Sequence, residues 1–302
     1  MIEQLFGGIE GGGTKFVCAV GTSPEDIRAE TRFLTTDPQA TIQKTLDFFQ
    51  QQMEEHGTLA AVGVASFGPV DLRPGSPTYG YITTTPKPGW ANVDILGPIN
   101  RGLGVKTAFD MDVNAAALAE WRWGAGQGLD SLIYLTVGTG IGGGAVVGGR
   151  VVHGLVHPEM GHLLIPHDRA ADAFVGCCPF HADCLEGLAS GPALEIRWGR
   201  RAEDLPPDHP AWEMEAGYLA AGLVNLILAL SPERIILGGG VMRQSQLFPM
   251  IRERVHQLLA GYVGSPAILG KIDEYIVPPV LGDRVGVLGA IAIAEMNIIN
   301  NI

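Results

Sequence analysis

His162, Cys178, His181 and Cys184 stand in the pattern H-x15-C-x2-H-x2-C. Two soft thiolates and two imidazoles form a tetrahedral donor set suited to zinc, and four protein ligands leave no position open for a reactant. Such a site is structural. The plainer alternative is a pair of buried thiols beside unrelated histidines. Cys177 adjoins Cys178, and either thiol is able to ligate. Two carboxylates flank the set, Glu159 three residues before His162 and Glu186 two residues after Cys184. The other histidines of this region, His153, His157 and His167, have surface or local hydrogen bonding as their default role.

A second group with chemical potential lies in "FDMDVNAAALAEW", Phe109 to Trp121. Asp110 and Asp112 are two apart, so on extended chain both face the same way. A strand over Val105–Phe109 and a helix over Ala115–Trp123 put them at a strand-to-helix junction. Asn114 suits the N-cap of that helix, which leaves Asp112 at the end of the strand. General base and helix cap both remain open for Asp112 on the residues alone.

Three glycine segments complete the set: Gly11–Lys15 in "GGGTK", Gly138–Gly144 in "GTGIGGG", and Gly238–Gly240 in "RIILGGGV". Bare amides at a glycine turn can cradle a phosphate, or the glycines can simply tighten a hairpin. "GTGIGG" matches G-x-G-x-x-G, but a dinucleotide fold needs a helix next, and strand-like "GGGAVVGGR" follows. "GGGTK" reverses the G-K-[ST] order of a P-loop. A hairpin-type phosphate cradle is what remains.

The elements that must position these residues can be read around them. "FGGIEGGGTKFVCAVG" and "SLIYLTVGTGIGGGAVVGGR" are both strand, glycine turn, strand, half a chain apart, which predicts a duplicated architecture. Helical spacing covers Pro38–His56, Ser190–Gly199, Trp212–Leu230, Leu247–Tyr262 and a last segment from Gly286 to Asn300. Strands alternating with helices indicate the α/β class. At 302 residues, 46% hydrophobic and 17% charged, the chain can bury a substantial core, and roughly 150 residues per domain predicts two domains. The net charge of -12 argues against a nucleic-acid partner. The N-terminus shows no basic and apolar secretion pattern. The most apolar stretch, "GYLAAGLVNLILAL", contains Asn225 and falls short of the ~18–20 residues that span a bilayer, so a buried helix and no membrane partner are expected. Four cysteines, three of them clustered, suit a reducing cytoplasm better than a disulfide scaffold.

"GIEGGGTK", "DMDVNAAALAE", "LTVGTGIGGG", "HPEMGH", "CPFHADCLEG" and "IILGGGV" occur in the order found in ROK-family sugar kinases. The chain resembles that family over nearly its whole length, most closely the zinc-containing fructokinase branch. The resemblance implies the actin-like ATPase (ribonuclease H-like) fold, with two α/β domains, each around a mixed five-stranded sheet, and a cleft for ATP and sugar. It implies a smaller domain from residues 1–114 plus about 284–302, and a larger one from 115–283 carrying the zinc-bound loop.

The implied activity is ATP- and Mg²⁺-dependent phosphorylation of a hexose, D-fructose to fructose 6-phosphate. Glucose, mannose or an N-acetylhexosamine is the alternative acceptor, and a non-catalytic sugar sensor the alternative role. Asp112 matches the family's catalytic aspartate. Gly68, Pro69, Glu159, His162 and Glu186 match the sugar site, the two glutamates accepting from hydroxyls. Gly11, Gly12, Gly13, Thr14, Lys15, Gly138, Thr139, Gly140 and Gly142 match the phosphate hairpins. Pro192, Gly238, Gly239, Gly240 and Val241 match the adenosine side. The zinc ligands are His162, Cys178, His181 and Cys184, since the family's Cys-Pro step corresponds to Cys178–Pro179. Two departures stand out: Met111 replaces a common Asn, and Glu10 replaces the usual Asp. A cytoplasmic homodimer is expected.

Overall fold

The computed structural model describes residues 4–299. In chain order the first elements are β1 (Phe6–Gly11), β2 (Lys15–Ser23), β3 (Asp26–Leu34), α1 (Pro38–His56), β4 (Ala61–Ser66), β5 (Tyr81–Ile82), β6 (Val93–Asp94) and α2 (Leu96–Leu103). Then come β7 (Lys106–Met111), α3 (Asp112–Trp123), β8 (Leu132–Val137), β9 (Ile141–Val147), β10 (Arg150–Val151), α4 (Leu185–Ala189), α5 (Gly191–Trp198) and α6 (Ala211–Leu230). The last are β11 (Arg234–Gly238), α7 (Leu247–Leu259), α8 (Pro266–Leu269), α9 (Ile272–Tyr275), β12 (Ile276–Val277) and α10 (Val285–Ile299). Asn300, the expected end of the last helix, lies outside the described residues.

The chain divides into two compact units. The first comprises Met1–Gln127, Val151–His157 and Val280–Ile302, and the second Gly128–Arg150 and Pro158–Pro279. The first unit thus takes in α3, beyond the residue-114 boundary anticipated from sequence. The cause is packing: a Cβ on Gly289 of α10 would collide with the Ala115 backbone, so the two helices are locked together.

The sheet of the first unit runs β3-β2-β1-β4-β7. β1 is antiparallel to β2 and parallel to β4, which is parallel to β7. β1 and β4 are almost wholly buried, as strands covered on both faces of a sheet are. α10 lies so close on the sheet that any side chain at Gly63 would meet the Ala290 carbonyl, which explains a glycine in mid-strand. Trp90 fills the core on the other side. It is fully buried, its Nε1 donates to the Thr36 carbonyl at 2.9 Å, and its ring packs on Phe16 and Phe67.

The sheet of the second unit runs β10-β9-β8-β11-β12. β8 is antiparallel to β9 and parallel to β11, and β11 is parallel to β12. This repeats the hairpin-plus-parallel-strand plan of the first sheet, as the duplicated glycine hairpins predict. The apolar stretch within Ala211–Leu230 is a helix of this unit, with Trp212, Ala216, Leu219 and Leu223 buried in its core.

Glu120 ends α3 in an unusual way. Although fully buried, its carboxylate accepts from Ala125 N at 2.7 Å and from Val280 N and Leu281 N at 3.0 Å each. Three backbone donors would be stranded by an apolar replacement. Glu120→Leu is therefore expected to lower stability by about 3 kcal/mol or more, while Glu120→Gln, which keeps one acceptor oxygen, recovers part of it. Urea unfolding measures this; an unchanged midpoint in Glu120→Leu contradicts the assignment.

Candidate functional site

In the first unit the three parallel strands β1, β4 and β7 end in one row. Gly11 pairs with Ser66, and Ser66 with Met111. The segments that leave these strands are the 11–15 hairpin, the 67–69 turn and the 110–112 junction. In open α/β sheets ligands bind at the carboxyl ends of parallel strands, so the row is a natural place for a site. The hairpin is braced: Gly12 N donates to Lys15 O at 2.9 Å, and Thr35 Oγ1 donates to Gly12 O at 2.6 Å. Phe67 N donates to Gly11 O at 2.7 Å, tying the turn to the hairpin. Gly68–Pro69 is a cis peptide, and Gly68 lies against the Met111 side chain. Met111 therefore packs on the turn to which the family resemblance gives the sugar.

The junction itself differs from the expected one. α3 begins at Asp112, not Ala115; the N-cap is Met111, which offers no side-chain bond. Asn114 is no cap. Its Nδ2 reaches back to Asp110 Oδ1 at 2.7 Å, which also accepts from Met111 N at 2.7 Å. Asp110 Oδ2 takes His153 Nε2 at 2.8 Å. The nearly buried Asp110 is thus consumed by structural partners, and it holds the His153 imidazole above its ordinary range through that hydrogen bond. Asp112 follows as the first residue of α3. It is half-buried in the first helical turn, where the helix dipole favours an anion, and its Oδ1 accepts Val113 N at 2.8 Å.

Glu10, last but one in β1, has its carboxyl raised by burial, against the opposing charges of Lys15 and Arg32. Its Oε2 is buried and has no hydrogen-bond partner among the described residues, while the Val287 N–H serves the carboxylate. An orphaned carboxylate oxygen beside a glycine hairpin fits a hydrated Mg²⁺, whose water ligands supply the missing donor.

In the second unit the β8–β9 hairpin closes with Gly138 N donating to Gly140 O at 2.9 Å, and Gly191 N donates to Gly138 O at 2.8 Å. Glu186 sits directly on this hairpin. Its Oε2 accepts Ile141 N at 2.9 Å, and a Cβ on Gly140 would lie 2.7 Å from that oxygen. Only glycine leaves the carboxylate its place. Glu159 has its carboxyl raised, first by burial and then by the charge of Glu186. A cavity of about 370 Å³ opens beside the hairpin. Gly138, Thr139, Pro192, Gly240 and Val241 line it, and Gly140, Gly142, Gly238 and Gly239 are not among its lining residues. Glu195, Arg201 and Arg243 also line it. They belong to no motif, and nothing local in the sequence marks them.

The four expected metal ligands come together, all donor atoms lying within 4.8 Å of one another. Cys178 Sγ is 3.7 Å from both His162 Nδ1 and His181 Nδ1, and Cys184 Sγ is 3.6 Å from His162 Nδ1. Zinc–sulfur bonds of ~2.3 Å and zinc–nitrogen bonds of ~2.0 Å in a tetrahedron give S···N edges of about 3.6 Å. The donor set fits zinc in type and in size. Cys177 is outside it, with Sγ 3.8 Å from Ser190 Oγ. Burial pushes the Cys184 thiol up to about 11, a preference that a bound cation reverses. Because His162 turns Nδ1 to the thiols, Nε2 remains on the side away from the donor set.

The sequence matches the ROK family model over residues 6–297. It is 47% identical to a putative fructokinase of Bacillus subtilis, covering 96% of this chain and 95% of that one. It is 43% identical to a fructokinase of Zymomonas mobilis, covering 97% of each. Among solved structures, the ROK hexokinase of Thermus thermophilus superposes with a TM-score of 0.80 at 28% identity, over 98% of this chain and all of that one. With its two sheets, its hairpins and its length accounted for, the chain belongs to the ROK family and has the actin-like ATPase fold.

Proposed function

We propose that the protein transfers the γ-phosphoryl group of ATP to D-fructose, giving fructose 6-phosphate and ADP. The observation that carries this reading is the full-length similarity to proteins named fructokinase. The geometry is in keeping with it.

Phosphoryl transfer to an alcohol needs alignment, charge neutralisation and a base at the attacking oxygen. Asp112 is the base: it matches the family's catalytic aspartate and stands at the strand-to-helix junction as the first residue of α3. The sugar hydroxyl donates to Asp112 and loses its proton there as the oxygen attacks phosphorus. Glu159 and Glu186 accept from other hydroxyls, which present donors in sets that suit paired acceptors. His162 Nε2 adds a donor, and the Gly68–Pro69 turn lines the sugar. The amides of Gly11, Gly12, Gly13 and Thr14, and those of Gly138, Thr139, Gly140 and Gly142, hold phosphate oxygens, with Lys15 adding charge. Pro192 and Gly238–Val241 take the adenosine. Mg²⁺ neutralises phosphate charge when bound, and Glu10 would orient its water. His162, Cys178, His181 and Cys184 would hold a zinc ion, whose part would be to fix the segment between the two glutamates and not to act on the substrate. The setting is cytoplasmic and the assembly a homodimer, in keeping with four unpaired thiols for the first.

A sugar panel with ADP release as the readout tests the acceptor. Fructose is expected to exceed glucose, mannose and N-acetylglucosamine by at least about tenfold in kcat/KM. A different leading sugar reassigns the substrate, and no release with any of them leaves a sensor.

A further inference from the structure

The metal donor set fixes the two ends of a long irregular loop, His162 at one and Cys178 to Cys184 at the other. Between them, residues 163–177 form no helix and no named strand. Something else must hold this arm, and the residues that do so are buried and charged. Asp172 and Arg197 have side chains only 7% and 6% exposed, and Arg197 Nε lies 3.2 Å from Asp172 Oδ2. Tyr218 Oη donates to the same oxygen at 2.7 Å. His167, also on the arm and 4% exposed, faces the Asp172 carbonyl at 3.0 Å through Nε2 and Asp183 Oδ2 at 3.1 Å through Nδ1. The Arg197 guanidinium lies over Phe174, a third arm residue, at 4.5 Å, and over Tyr218 at 5.5 Å. Its Nη2 donates to the Leu188 carbonyl at 2.9 Å, two residues past Glu186.

Taking two charges out of water is costly, and an apolar pair of similar volume often serves stability as well. What the ion pair adds here is connection. Arg197 is in the last turn of α5, whose first residues, Gly191 and Pro192, line the 370 Å³ cavity. One side chain therefore joins the outer arm of the metal loop, the helix that carries Glu186, and the helix that begins at the cavity.

We propose that Arg197 is a positioning residue which, through Asp172, Phe174 and the Leu188 carbonyl, docks the outer arm of the metal loop onto α5 independently of the metal. Metal and arginine are then two separate anchors, one for the ends of the loop and one for its middle. The functional consequence rests on the sugar-binding role given above to Glu159 and Glu186: a loosened arm lets those acids drift and weakens the hold on the sugar.

The test uses the full-length protein carrying Arg197→Met, read by hydrogen exchange, zinc content and steady-state kinetics. The expected result is exchange at least about tenfold faster across residues 164–176. Zinc is retained at about one per chain. The KM for fructose rises about tenfold while kcat stays within about threefold. Removing Arg197 also strands Asp172, and the fully buried Glu215 near it has neither carboxylate oxygen hydrogen-bonded. If Arg197→Met does not fold, Tyr218→Phe, which removes only the hydroxyl given to Asp172, supplies the same readings at smaller amplitude. Wild-type protection of 164–176 in a folded, zinc-loaded variant overturns the proposal, as does loss of zinc in step with loss of protection. Exchange and zinc are read whether or not sugar is turned over. An inactive wild-type enzyme would therefore overturn the kinase reading and leave the anchor standing.

Discussion

Asp112→Asn is expected to lower the turnover of fructose phosphorylation by about 10²–10⁴-fold, the range in which a positioned base contributes. The substitution keeps size and hydrogen-bonding shape but removes the negative acceptor. An amide oxygen in the first turn of α3 can still accept Val113 N, so the helix start that Asp112 Oδ1 now supports should persist. ATP affinity, measured by calorimetry, is expected to change less than threefold or so, because a base acts on the transition state more than on bound nucleotide. Turnover within about threefold of wild type rejects Asp112 as the base.

Cys184→Ser is the second large effect. Cys184 is fully buried and supplies one of two sulfurs in the donor set. Zinc content should fall from about one per chain to well below half. Structural zinc in small peptides contributes ~10–16 kcal/mol of apparent folding free energy. Here the rest of the unit has its own core, so the loss is confined to the loop: the melting temperature drops, and fructose phosphorylation falls by more than about a hundredfold because Glu186 follows Cys184 by two residues. Chelation of the native protein should reproduce both changes, and added zinc should reverse them only in the native sequence. The pH direction follows from ligand protonation. Thiolates and neutral imidazoles bind the cation, so acid displaces it and the loop loses its metal as pH falls. Full activity in a zinc-free preparation contradicts a positional role.

Much of this arrangement is legible in the chain because its parts are local. The metal spacing, the glycine hairpins and Glu186 all lie within short runs whose residue types state their chemistry, and α1 spans Pro38–His56 as its periodicity indicates. The junction at Asp112 was harder. Its helix starts without a side-chain cap, so the usual signal is missing, and Asn114 is drawn instead to an aspartate four residues back. That aspartate is in turn claimed by His153, 43 residues away. The anchor of the metal loop was invisible for the same reason. Asp172 and Tyr218 are 46 residues apart, and neither arginine, aspartate nor tyrosine carries a local pattern that announces a buried pair. The extent of the first unit was likewise set by a tertiary contact, the packing of Ala115 on Gly289, rather than by any feature at residue 114.

Phosphate is expected to pass from ATP to the 6-hydroxyl of fructose. Incubating the purified protein with ATP, Mg²⁺ and fructose, and counting ADP against sugar phosphate by phosphorus NMR, tests it directly. The account predicts one fructose 6-phosphate for every ADP. ADP without sugar phosphate, or phosphate on another hydroxyl, contradicts it.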